Sequence, residues 1–258
     1  MNGRLQWVLP LVTAGVVLII WICLALVDTK HEALPSPFAV AIALGKESGQ
    51  ILPALGRDVL AMIGGFILAS IFGIVTAILL VSYRGLSLAL KPWFAIGRMT
   101  PLLVLTPLMI ISPLPIWVSL MLITAIICYF PFVAIYTPAL TTTDKVLVDL
   151  FKTYRADYRQ QIMYLRFPHA FPSLIKALRR AAILAPLATL LTDFLAGSLA
   201  NQPGLGRLLR EYYEAGGDAE IYALCLIAAF TGVVLAGAVD AFAAWILAHW
   251  HDNDHGTH

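Results

Sequence analysis

The sequence predicts an all-α membrane protein with about six membrane-crossing helices, and three observations carry that reading. Hydrophobic residues make up 60% of the chain and charged residues 12%, with a mean hydropathy of +0.85, far from the balance of a water-soluble domain. The apolar residues arrive in runs of about 20, the length a helix rising 1.5 Å per residue needs to cross a hydrocarbon layer of about 30 Å. The charges collect between the runs. No low-complexity tract, internal repeat or linker divides the 258 residues, so 1–258 is read as a single transmembrane domain.

The first run, Trp7–Val27, follows Arg4. It exceeds the apolar stretch of a signal peptide, and "VDTKHEALPSP" after it offers no small-x-small cleavage site, so it reads as an uncleaved span. Leu34–Pro37 is an extended proline turn opening a short amphipathic helix, with Ser36 as cap and Pro37 in the first turn. The second span, Val59–Ser82, places Gly64, Gly65, Ala69, Ser70 and Gly73 at three- and four-residue steps. A face of small residues lets helix backbones approach closely. The third, Pro92–Ile111, holds Pro92, Pro101 and Pro107, with Pro113 and Pro115 just beyond. Interior prolines delete backbone donors, so this segment is expected to be kinked or unwound. It reads either as a packing kink or as a hinge lining a solute path, with Pro101 and Pro107 as candidates.

Ile116–Leu140, Leu178–Leu199 and Ile221–Trp250 complete the six. Between the last two, glycine turns flank a short helix, Leu205–Ala215, with Arg207, Arg210, Glu211 and Glu214 on its polar side. It reads equally as a gate-flanking docking loop and as an interfacial helix holding Tyr212 and Tyr213 at headgroup depth.

Six spans put both termini on one side. With that side cytoplasmic, the inner loops carry Arg4, Arg84, Lys91, Arg98 and the eight basic residues Lys145, Lys152, Arg155, Arg159, Arg166, Lys176, Arg179 and Arg180. The outer loops carry five: Lys30, Lys46, Arg57, Arg207 and Arg210. Positive residues stay inside, so both termini are expected to be cytoplasmic.

Ionisable residues inside spans cost at least about 2.5–3.5 kcal/mol near the bilayer centre and mark candidate pathway or gate positions. They are Arg98, Asp193 and Asp240. Arg98 either snorkels to the inner surface or attracts an anion at the inner mouth. Asp193 lies near the outer end of its span, and Asp240 deeper, toward a partner helix or cavity. Cys23, Cys128 and Cys225 lack metal-ligand spacing and read as packing residues. The tail "HWHDNDHGTH" fixes no metal geometry and reads as a polar end. No metal site is expected, and no nucleic-acid partner.

The loop between spans four and five, about 141–172, is too long and too charged for a minimal turn. Asp144 caps a helix starting at Lys145 or Val146, on which Val148, Phe151, Ile162, Leu165 and Phe167 supply apolar side chains. Lys152, Arg155 and Arg159 recur along it at three- and four-residue steps, and Pro168 and Pro172 are expected to close the segment before the next span.

Here the chain resembles the permease subunits of bacterial ATP-driven importers. Their cytoplasmic signature is an acidic residue, two small residues, a glycine four on from the second, nine residues, then Ile-x-Leu-Pro. Asp149-Leu150-Phe151 fills the triplet, Arg155 stands at the glycine, and Leu165-Arg166-Phe167-Pro168 closes the motif in register. "LPSPFAV", "KPWFAIGRMTPLLVLTPLMI" and "TDFLAGSLANQPGLGRLL" narrow the resemblance to the nitrate, sulfonate, taurine and bicarbonate branch, although "SPLPIW" departs from its phenylalanine-glycine motif.

The resemblance implies a type I permease fold and a homodimer of permeases. It also implies two ATP-binding cassette subunits docked on a coupling helix, and an external solute-binding protein. The coupling residues it points to are Asp149, Thr153, Tyr154, Arg155, Ala156, Asp157 and Pro168. ATP and Mg²⁺ would sit on the partner, because the chain has no G-x-x-x-x-G-K-[ST] loop. An ion-coupled secondary transporter, or a membrane-embedded enzyme, is the alternative reading. The first calls for midplane acids and an inverted repeat, the second for clustered nucleophiles or histidines.

Overall fold

The computed structural model describes residues 3–27, 34–99, 104, 106–196 and 204–252, and the regular structure among them is helical. After α1 (Gly3–Val27), the proline turn starts α2 (Pro37–Lys46) as expected: the Ser36 hydroxyl accepts a hydrogen bond from the Ala39 amide at 3.2 Å, with Pro37 in the first position. Glu47 separates α2 from α3 (Ser48–Ser82), which at 35 residues is about 52 Å long. The expected span is therefore only part of a helix that continues beyond it through Ser48 to Asp58.

The core is the packing of α3 on α6 (Ile116–Thr141) and of both on α9 (Phe167–Ala196). The small-residue face of α3 makes it possible. A Cβ on Gly65 would stand 2.7 Å from the Thr124 side chain and 2.8 Å from the Met121 carbonyl, and one on Gly73 would strike the Phe132 ring. Phe132 and Tyr136 are consequently sealed from solvent. On the far side of α6, Ala177, Ala181, Ala182 and Ala185 of α9 are equally closed off, and the hydroxyls of Thr124 and Thr189 meet at 2.9 Å.

Two helices, α4 (Arg84–Met99) and α5 (Thr106–Ile111), occupy the proline-rich run. Pro107 is the second residue of α5, where a missing N–H costs nothing, and Pro115 precedes Ile116 as the cap residue of α6. These prolines mark helix starts instead of bending one long helix. Pro101 lies outside the described residues. The charged segment contributes α7 (Lys145–Thr153) and α8 (Tyr158–Gln161), then a π-helical turn, Ile162–Arg166, running into α9. At the other end of α9 stands α10 (Leu205–Ala215), and the last helix is α11 (Asp218–Asp252). α1 is tied in by Trp21, which donates to the Pro35 carbonyl at 3.1 Å and stacks on Tyr222 of α11.

Among the described residues three helical segments are long and apolar enough to cross a bilayer: Ser48–Ser82, Ile116–Thr141 and Asp218–Ile246. The sequence suggested six. α9 is 30 residues long, but Lys176, Arg179 and Arg180 interrupt it near its middle, as its tenth, thirteenth and fourteenth residues. The cysteine reading needs correction in part. Cys128 is buried, 3.4 Å from the Ala181 carbonyl, whereas Cys23 and Cys225 lie on exposed faces.

Candidate functional site

The charged segment is not one helix. α7 begins where the sequence places it, with the Asp144 carboxylate accepting from the Val146 amide at 3.0 Å. Lys152 bonds Asp149 at 2.9 Å, and the Thr153 hydroxyl bonds the Asp149 carbonyl at 2.9 Å. The helix then stops in a Schellman turn. The Ala156 amide bonds the Phe151 carbonyl at 3.0 Å and the Arg155 amide the Lys152 carbonyl at 2.9 Å, which requires the residue between to be left-handed. That residue is Arg155, with φ 54°, and among the described residues it alone has positive φ without being glycine. Arg155 thus adopts the conformation that glycine supplies freely, at a cost of about 1 kcal/mol.

Asp157 starts α8 with a capping box: its carboxylate accepts from the N-terminal amides, and its own amide donates to Gln160 Oε1 at 2.8 Å. Of the expected coupling residues, Asp149, Thr153, Tyr154, Arg155 and Asp157 are exposed and cluster at this turn, while Ala156 is half-buried. Pro168 is separate. It is the second residue of α9 and Pro172 lies inside that helix, so neither closes the segment. The π turn, in which the Phe167 amide reaches back to Ile162, shifts the hydrogen-bonding register just ahead of Pro168, which has no donor.

Sequence reasoning missed one feature of α7. Val148 and Phe151 turn inward and are half-buried, yet Val146, Leu150 and Tyr154 form a second apolar row, 73%, 48% and 79% exposed. Their four-residue spacing was the available signal.

At the opposite end of the bundle, two acids converge on α10. Asp193 Oδ2 accepts from the Arg207 amide at 2.7 Å, and Asp58 Oδ2 from the Leu205 amide at 3.0 Å. Both carboxylates are buried, 1% and 6% exposed. Each has an oxygen 2.5 Å from where a Cβ on Gly204 would sit, and a Cβ on Gly206 would strike the backbone of Leu190 and Phe194. α10 is therefore pinned by carboxylates from α3 and α9 at the positive end of its dipole. Asp58 was absent from the sequence candidates; a lone acid at the head of an apolar span was its only mark. Farther along α10, the Tyr212 hydroxyl donates to Glu47 at 3.1 Å, and burial together with that carboxylate pushes its pKa up to about 12.

The remaining pathway candidates do not join Asp193. Asp240 pairs with Arg179 at 3.3 Å at one end of a groove of about 710 Å³ between α9 and α11, lined also by Pro186, Leu190, Gly232 and Ala236. Arg98 is placed on α4 by its backbone, and its side chain lies outside what is described. Among the described residues no cluster of three metal-ligating side chains occurs.

The chain matches the family model of the binding-protein-dependent transport system inner membrane component over residues 69–250. It belongs to that family. Two curated relatives agree with the assignment. A probable ABC transporter permease protein of Haemophilus influenzae is 28% identical over 207 residues, covering 80% of this chain and 83% of the relative. The formylaminopyrimidine transport permease protein ThiX of Halalkalibacterium halodurans is 27% identical over 216 residues, covering 81% and 84%. The protein is thus an ABC transporter permease, and membership implies an ATPase and a substrate-binding protein as its partners. Both features described above, the α7–α8 turn and the α10 clasp, lie inside the matched region, apart from Asp58.

Proposed function

We propose that this permease is the translocating subunit of an ATP-driven importer and works as a homodimer with two ATPase subunits. The ATPases would hold ATP and Mg²⁺ and grip the α7–α8 turn on the cytoplasmic side, where both termini also lie. A solute-binding protein would deliver cargo to the side bearing α10. The observation that carries the reading is the turn itself. An exposed apolar row and an exposed basic corner meet at a residue forced left-handed, at the position where the family's signature has glycine. A short helix with an apolar face in open solvent is half of an interface, and closure of a cleft around it would tilt the attached spans. The twelve-to-five bias of Lys and Arg toward this side supports its placement in the cytoplasm.

The solute is proposed to be small, an anion of the nitrate, sulfonate or taurine kind or else a pyrimidine precursor. The latter draws support from the relative named for formylaminopyrimidine transport. Arg98, Pro101, Pro107, Asp193 and Asp240 are carried as pathway or gate positions, with Asp193 acting through its hold on α10.

Arg155→Glu tests the docking assignment. It reverses charge at the exposed corner, so co-purification of the ATPase should drop by about tenfold, equivalent to about 1.4 kcal/mol, while the amount of permease in the membrane stays level. Undiminished co-purification and ATP turnover in that variant would refute the assignment.

A further inference from the structure

Between the docking turn and the bundle sits a joint that the docking face does not use. Tyr158, the first residue of α8, donates its hydroxyl to the Val81 carbonyl at 2.6 Å. Arg166, the last residue of the π turn, donates Nη1 to the Leu140 carbonyl at 3.4 Å, and its guanidinium lies 5.6 Å from the centre of the Tyr158 ring. Val81 and Leu140 are the next-to-last residues of α3 and α6. Their carbonyls are among those that a helix C-terminus leaves without an internal donor, at the negative end of its dipole. Two side chains from the charged segment therefore cap two core helices and stack on each other.

The chain path explains why this matters. The segment is covalently continuous with α6 on one side and α9 on the other, but α3 has no such connection to it. The Tyr158 hydroxyl supplies one. Arg166 stands on a π turn, a register shift that offers a place for helices to reorganise, and its stacking on Tyr158 makes the two caps move as one body.

We infer that Tyr158 and Arg166 are positioning residues of energy coupling: a two-residue joint that conveys displacement of the α7–α8 docking turn to α3 and α6 together. The inference rests on the proposed ATPase docking. Among the described residues α3 and α6 share the most extensive helix contact, so a push delivered to both would move the core as a unit, whereas a push through α9 alone would shear it.

The test uses the full permease with its ATPase in nanodiscs, with the exposed Cys23 and Cys225 replaced by serine, spin-labelled at Lys145→Cys on α7 and Tyr83→Cys beside the end of α3, with Mg-ATP and vanadate as the trapping probe. In the otherwise unaltered permease, trapping should leave the label separation within about 2 Å, the size of a packed-helix shift. In Tyr158→Phe, which keeps the ring and loses only the hydroxyl, trapping should change it by about 5 Å, the scale of an element slipping by one helical turn. Arg166→Lys should move it in the same direction by less. A Tyr158→Phe permease whose label separation tracks the unaltered one, even with a lowered melting temperature, would make Tyr158 a simple cap and overturn the proposal. Failure of the ATPase to co-purify with the unaltered permease would overturn the docking reading and the joint with it.

Discussion

The two ends of the helix bundle use the same chemistry to opposite effect. At both, carboxylates accept from the first amides of a helix. At the charged end Asp144 and Asp157 cap the helices they precede, so each acts within its own segment, and α7 has no buried residue. At the opposite end the carboxylates that cap α10 come from α3 and α9, more than a hundred residues away in one case, and both are buried. A local cap fixes the shape of a segment without fixing where it sits. A remote cap fixes both. One end is thus shaped by its own segment and keeps an apolar row exposed, and the other is closed by the chain itself.

The largest effect expected from that contrast is at Gly206. A side chain there meets backbone atoms of α9, which cannot step aside, so Gly206→Val should destabilise the permease by about 3 kcal/mol. Gly56, on α3 with nothing within 4 Å, is the control: Gly56→Ala should be neutral or slightly stabilising. Melting temperatures in detergent would show the difference. Equal melting temperatures for the two variants would mean that α10 is not packed against α9 as described.

A smaller effect compares the two kinds of cap directly. Asp193→Ala removes the acceptor of a half-buried amide and should cost about 1–3 kcal/mol, loosening α10 and speeding tryptic cleavage at Arg207 and Arg210. Asp144→Ala should cost about 1 kcal/mol, confined to α7, with cleavage at Arg207 and Arg210 unchanged. If both variants expose α10 alike, the separation between the two ends fails.

How much of this was legible in the sequence follows the same division. Features that depend on residues a few positions apart could be read: the Ser36 and Asp144 caps, the bounds of α10 and the small face of α3. Features that depend on chain segments meeting in space could not. Nothing near Asp58 shows that it will face Gly204, and nothing near Tyr158 points to Val81. Asp193 was noted for its charge, yet its role came from a helix fourteen residues on. Hydropathy ranks a helix by its own composition, and α9 is admitted to the core by its alanines despite Lys176, Arg179 and Arg180.

The smallest effect sharpens the open end of the comparison, since Arg155 combines a backbone function with a charge and the two can be separated. Arg155→Gly relieves the left-handed strain and should strengthen the Schellman turn by about 1 kcal/mol. Hydrogen exchange of the Ala156 amide, which bonds the Phe151 carbonyl, should then slow by about fivefold, at 1.4 kcal/mol per decade. Arg155→Ala loses the same charge but keeps the strain, so its exchange should stay near that of the unaltered permease. Both variants should bind the ATPase less well if the cation contributes to docking, and Arg155→Lys should bind it normally. An Ala156 amide that exchanges faster in the glycine variant would show that the arginine side chain, not the backbone geometry, holds the turn closed.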